Sequence, residues 1–171
     1  MKSLPLKYLL PVIILLVIIN GCSPNRIALK GNYETIPLAV NSNKSIDTCW
    51  LKVMQLFAEK GLGIDKLDRK KGLLVSKKTP LMTAYTFEDK NGQLNNADAW
   101  VVLGKVTVHE KERMPKTIYG QWSIEITETG TGTTTIKIDP VVICTYYTNS
   151  FTKFEVRGQS TGKLEALIKG A

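Results

Sequence analysis

Apolar residues recur at Ile46, Cys49, Trp50, Val53, Leu56 and Phe57, one face at a period near 3.6, and this spacing predicts a helix over about 45–60. Asn43 or Ser45 can cap its start, Asp47 lies in the first turn where the helix dipole favours an anion, and Gly61 supplies the stop. An apolar stripe of this width needs a sheet to cover it. Packing explains Trp50 and Phe57 better than a ligand cavity does, although both side chains could line one.

After Gly61 the period shortens to two. Ile64–Leu67, a turn over 68–72 and Leu73–Ser76 read as a hairpin in which Gly72 is free to take positive φ. Leu81–Phe87 reads as a further strand, ended by Asp89-Lys90-Asn91-Gly92. Trp100–His109 has strand composition throughout. Trp122–Glu128 alternates with one wet face, Gly130-Thr131-Gly132 turns it into Thr134–Asp139, and Val141–Tyr147 follows Pro140 as a separate strand or a bent continuation. Ser160–Lys169 closes the chain as a short capped helix. The expected fold class is α+β: an antiparallel β-meander sheet packed against a long N-terminal helix and a short C-terminal helix.

The start of the chain has neither period. Lys2 and Lys7 precede an unbroken apolar run from Tyr8 to about Ile19, which is too short for a spanning helix of about 20 residues and reads as a signal peptide over 1–21. Ile19-Asn20-Gly21-Cys22 then resembles the lipobox of bacterial lipoproteins, although Asn20 stands where that pattern more often has Ala or Ser. The resemblance implies cleavage before Cys22 and acyl chains on it, a membrane anchor with no cofactor. Two or three chains give stable anchoring where one does not. Ser23 in place of Asp implies the outer membrane rather than the inner one, with the domain facing the periplasm. Residues 22–40 then form the lipidated cysteine and a tether, with Ile36–Val40 able to join an edge of the fold, and 41–171 a single domain.

Without 1–21 the chain is one domain long and has an adequate core. Lys2 and Lys7 leave with the signal, so 21 of the 23 basic residues remain against 15 acidic ones. That excess suits lipid phosphates or an acidic protein face, and equally plain solubility. Nucleic acid is not an expected partner of an exported, anchored domain. Cys49 and Cys144 remain for one disulfide or for two buried thiols.

The helix followed by Glu59-Lys60-Gly61-Leu62-Gly63-Ile64, the Asp68–Gly72 hairpin with Leu74-Val75-Ser76, and the terminal Ser160-Thr161-Gly162-Lys163-Leu164-Glu165 together resemble small Gram-negative envelope lipoproteins with a helix-grip-like domain. BamC of the β-barrel assembly machinery carries such domains. The likeness spans roughly residues 45–80 and 158–169, lacks a second domain, and implies a fold with no catalytic residues to transfer.

No enzyme motif stands against that reading. His109 is the single histidine and sits at a charged strand end, and the sequence has no GxSxG elbow, P-loop, CxxC pair or GxGxxG after a strand. Two features can meet a partner. The first is a basic concentration that includes Lys66, Arg69, Lys70 and Lys71, either a contact for an anionic surface or a solvated loop. The second is the aromatic group Tyr146, Tyr147, Phe151 and Phe154, either a lip for a ligand or partner or ordinary sheet packing. The expected function is a membrane-anchored, non-enzymatic adaptor or accessory subunit of an envelope protein complex. The alternative is a periplasmic carrier or sensor of a small apolar ligand or lipid, with a void near Trp50, Val53 and Phe57.

Overall fold

The computed structural model describes residues 24–33, 38–130, 132–148 and 152–170; the apolar run, Cys22, Ile36 and Phe151 lie outside them. Helix α1 (Ile46–Glu59) forms where the periodicity placed it. Ser45 Oγ accepts from Thr48 N at 3.4 Å to cap it, and Cys49, Trp50, Val53, Leu56 and Phe57 are its buried face. Gly61 ends it in the left-handed region at φ 67°.

One correction concerns the helix's place. It has 14 residues and follows two strands, β1 (Asn25–Arg26) and β2 (Leu38–Ser42), so it is not a long N-terminal helix. β2 is an edge strand on residues 134–138, where hydrogen bonding to the sheet stabilises it more than its composition alone would.

β3 (Ile64–Asp68) and β4 (Leu73–Ser76) make the expected hairpin. β5 (Thr79–Pro80) and β6 (Tyr85–Phe87) replace the single strand expected over 81–87. β7 (Val101–Leu103) and β8 (Val106–Val108) replace the one over 100–109. The break falls at Gly104, where a Cβ would lie 2.6 Å from the Ile27 carbonyl oxygen. That close approach needs glycine and diverts the chain to pair with β1.

β9 (Lys111–Arg113) returns on β8 through His109 and Glu110, which both hold positive φ, 51° and 63°. A two-residue turn of this kind prefers Asn-Gly. The double substitution His109→Asn with Glu110→Gly is therefore expected to raise stability by about 1 kcal/mol. A denaturant midpoint that rises with unchanged slope is the check.

The frame of the molecule is the ribbon of β10 (Thr117–Gly130) and β11 (Thr133–Tyr147), followed by β12 (Lys153–Ser160) and helix α2 (Lys163–Gly170). The main sheet runs β3-β4-β10-β11-β12-β7-β6, with β2 on β11 and β5 on β10, while β1, β8 and β9 form a small second sheet. Among the described residues all strand pairs are antiparallel except β6 with β7.

β11 continues through Pro140 without losing phase. Thr134, Ile136 and Ile138 before it and Val142, Cys144 and Tyr146 after it all point inward. Inward residues of β10 and β11 meet α1, so Trp50, Phe57, Leu74, Trp122, Ile124 and Ile138 share one core. The class is mixed α+β, mostly antiparallel strands with two helices.

Candidate functional site

The chain entering the fold is gripped where a free tether was expected. β1 pairs with β8, Asn25 opposite Thr107 and Arg26 opposite Val106, and Ile27 N donates to the Lys105 carbonyl at 2.8 Å. Further on, the Glu88 carboxylate takes two consecutive backbone donors, Lys30 N on Oε2 and Gly31 N on Oε1, both at 2.7 Å. Lys30 Nζ adds a bond to the Lys90 carbonyl at 2.7 Å. A Cβ on Gly31 would sit 2.7 Å from the Tyr33 hydroxyl and 2.8 Å from Glu88 Oε1, so any larger residue there must push these two side chains aside.

Burial pushes the Glu88 carboxyl up, but the N–H groups of Lys30 and Gly31, the Tyr33 hydroxyl and the Lys30 charge outweigh it and hold the group below the usual carboxylate range. Burial and the neighbouring carboxylate push the Tyr33 hydroxyl up to about 12. A carboxylate lowered on folding stabilises the fold above its unfolded pKa of about 4.3, and that contribution is lost as pH falls through the lower folded value. The amides of Lys30 and Gly31 are therefore expected to lose hydrogen-exchange protection as pH falls below the ordinary carboxylate range, before the β10–β11 ribbon does. Glu88→Ala is expected to release them at neutral pH. Protection unchanged in both cases would show that the carboxylate does not hold this segment.

The gripped segment lies at one end of the ribbon. Arg26 and Arg113 both lie opposite Val106, Arg113 Nη2 donates to the Thr148 carbonyl at 3.2 Å, and Lys116 N donates to the Thr145 carbonyl at 2.8 Å. Tyr147 and Lys153 are register partners beside them. Ile27, Met114 and Tyr147 are 50%, 60% and 40% exposed, an apolar set among cations.

The basic hairpin singled out in the sequence lies at the other end. Leu73 is opposite Glu125, and Ile126 N donates to the Gly72 carbonyl at 2.7 Å, nine residues along β10 from Thr117. Lys66, Lys70 and Lys71 are exposed there. Arg69 is drawn back onto α1, with its guanidinium 5.8 Å from the Trp50 ring centroid and Nη1 3.9 Å from Asp47 Oδ1. It is less free to meet an outside anion than the lysines.

Of the aromatic group, Tyr146 is 1% exposed and stacks on Phe154 at 5.5 Å between centroids. The inward phase of β11 therefore makes Tyr146 a core residue, a correction to its expected place on a lip. Phe154 is half-buried against the same core, Tyr147 alone of the three described members faces out, and Phe151 lies outside the described residues.

Cys49 and Cys144 are free thiols, which corrects the disulfide reading. Cys49 lines a small recess with Ile136, whereas Cys144 lies eight residues further along β11, about 26 Å at 3.3 Å per residue. A disulfide needs Cα atoms within about 7 Å. Burial pushes the Cys144 thiol up to about 12, which leaves it an inert part of the core.

Of the residues expected to border a void, Trp50, Val53 and Phe57 are 2%, 1% and 0% exposed, and Val53 lines the recess of about 160 Å³ that Cys49 and Ile136 also border. A larger recess of about 500 Å³ lies elsewhere, where β11 passes from β2 to β12 at Pro140, with Leu38, Val40, Thr161 and Ala166 on its walls. Glu165 also lines it. Its Oε2 accepts from Ser160 Oγ at 2.9 Å and its Oε1 is buried without a partner, while Ser160 Oγ accepts from Gly162 N at 3.1 Å. This link fastens the first turn of α2 to the end of β12.

His109 is exposed at its turn, as its charged surroundings suggested. Among the described residues no group of three or more His, Cys, Asp or Glu side chains is placed to hold a metal ion, and no helix is long and apolar enough to cross a membrane. Sequence reasoning missed Glu88 and the Arg26–Lys116 end. Glu88 meets its partners 57 and 58 residues away and carries no local signal. Compared with known proteins, the chain matches no family model, no curated protein and no solved structure.

Proposed function

We propose that this chain is a bacterial envelope lipoprotein, anchored through acyl chains on Cys22, that serves as a non-enzymatic adaptor or accessory subunit of an envelope protein complex. The observation that carries this reading is Ile19-Asn20-Gly21-Cys22 directly after an apolar run led by two lysines. Residues 1–21 are then the signal peptide, and the outer membrane, with the domain on its periplasmic side, follows from Ser23. The way the sheet meets α1 supports a helix-grip-like arrangement, in keeping with the resemblance drawn from the sequence. Residues available to a protein partner include Lys66, Lys70 and Lys71 on the β3–β4 hairpin, at the end of the ribbon remote from the anchor.

The test is affinity purification of the full-length protein from its own envelope in mild detergent, with proteins and lipids identified in the same eluate. A stoichiometric protein that survives salt washing, and is lost when Cys22→Ala removes the anchor, is the expected result. A stoichiometric small molecule with no protein partner would overturn the adaptor reading. It would favour a carrier, for which the recess of about 500 Å³ beside α2 is the available space.

A further inference from the structure

The length of chain between Cys22 and the first strand limits where the domain can stand. Two residues, Ser23 and Pro24, separate Cys22 from Asn25, a reach of at most about 11 Å over three Cα–Cα steps. Asn25 and Arg26 are fixed in register on β8, and Glu88 holds Lys30 and Gly31 behind them. This leaves no long tether on which the domain could turn over freely.

The end of the fold beside β1 has the chemistry of a lipid-facing surface. Arg26, Lys105, Lys111, Arg113, Lys116 and Lys153 lie there with the carboxylates of Glu110, Glu112 and Glu155. Lys105 and Glu112 pair at 3.3 Å, leaving five cations to two carboxylates. Exposed apolar side chains accompany them, Ile27 next to Arg26, Met114 next to Arg113 and Tyr147 opposite Lys153 in register, of the kind that enters a headgroup region while the cations meet phosphates.

The β3–β4 hairpin is nine residues away along β10, about 30 Å at 3.3 Å per residue. Over several Debye lengths of about 8 Å its lysines feel little of a bilayer that touches the other end.

We infer that the β1–β8–β9 end rests on the phosphate-bearing headgroups of the bilayer that holds Cys22, with Arg26, Lys111 and Lys116 over phosphates, and that the β3–β4 hairpin faces away. The inference rests on the lipoprotein reading for its anchor and goes beyond it by fixing which surface meets lipid. It also reassigns the anionic-surface contact from Lys66, Arg69, Lys70 and Lys71 to the opposite end of the ribbon.

The experiment uses the full-length protein taken from its membrane and reconstituted in vesicles of phosphatidylglycerol and phosphatidylethanolamine. A fluorescent unnatural amino acid replaces either Met114 or Lys70, and a spin label on the lipid headgroup quenches it by proximity. Quenching at position 114 is expected to exceed that at position 70 at least threefold. Lys111→Glu with Lys116→Glu is expected to reduce it toward the level at 70, whereas Lys70→Glu with Lys71→Glu should leave it unchanged. Equal quenching at the two positions, stronger quenching at 70, or no response to the Lys111 and Lys116 changes would each overturn the proposal. The mass of the Cys22 peptide is read on the same sample. An unmodified cysteine would sink the anchor reading, and coupling that thiol to a maleimide lipid would restore the two-residue link so that the stance is still measured.

Discussion

Trp122→Ala is expected to destabilise the fold by about 3–5 kcal/mol, the range for removing a large aromatic from a packed core. Trp122 is 0% exposed on β10, and its ring lies against Gly120, where a Cβ would meet it at 2.8 Å. The same ring meets Trp100 edge-to-face, with centroids 6.0 Å apart and planes at 81°. Its backbone N–H donates to Ser76 Oγ at 2.9 Å, a bond that the substitution keeps, and its indole Nε1–H is buried without a partner, so the loss comes from packing and is net of removing that unpaired donor. With natural domains stable by about 5–15 kcal/mol, such a loss brings many of them close to unfolding. Denaturant titration of the variant, with near-ultraviolet dichroism to report tertiary packing, checks it. A loss below about 1 kcal/mol would show that the core closes over the gap.

Gly72→Ala is expected to cost roughly 3 kcal/mol, although it adds a single methyl group. Gly72 holds φ 67°, where an L-residue loses about 1–2 kcal/mol. Its added Cβ would also clash with the Ile126 carbonyl oxygen, while the Gly72 carbonyl accepts from Ile126 N at 2.7 Å. Relieving that clash moves β4 away from β10 and breaks the bond, at a further 1 kcal/mol or so. Gly61→Ala is the control: φ is again 67°, but nothing lies within 4 Å of its Cβ, so only the conformational cost applies. Similar losses in the two variants, compared by denaturant midpoints, would remove the close approach from the explanation.

Part of this architecture was legible along the chain. The buried face of α1 follows from its stripe because burial at a period of 3.6 leaves a plain pattern, and the β3–β4 hairpin follows from alternation around Gly72. The pattern of β12 was also present, with Phe154 and Val156 alternating with Lys153, Glu155 and Arg157. The aromatic group was open to a lip or to sheet packing, and the structure turns Phe154 and Val156 onto the core. β1 is two residues long and exists through its pairing with β8, so no local pattern could announce it. The Glu88 grip and the fastening of Ser160 by Glu165 depend on chain segments meeting in space. For the same reason the basic hairpin stood out along the chain, whereas the Arg26–Lys116 end, gathered from β1, β8, β9 and the start of β10, did not.

The central claim is that Cys22 anchors this domain to a bilayer, and the intact mass of the protein extracted from its own membranes tests it most directly. The account predicts a chain that begins at Cys22, heavier than its amino-acid mass by two or three acyl chains. A chain that retains Met1, or one that carries an unmodified Cys22, would contradict it.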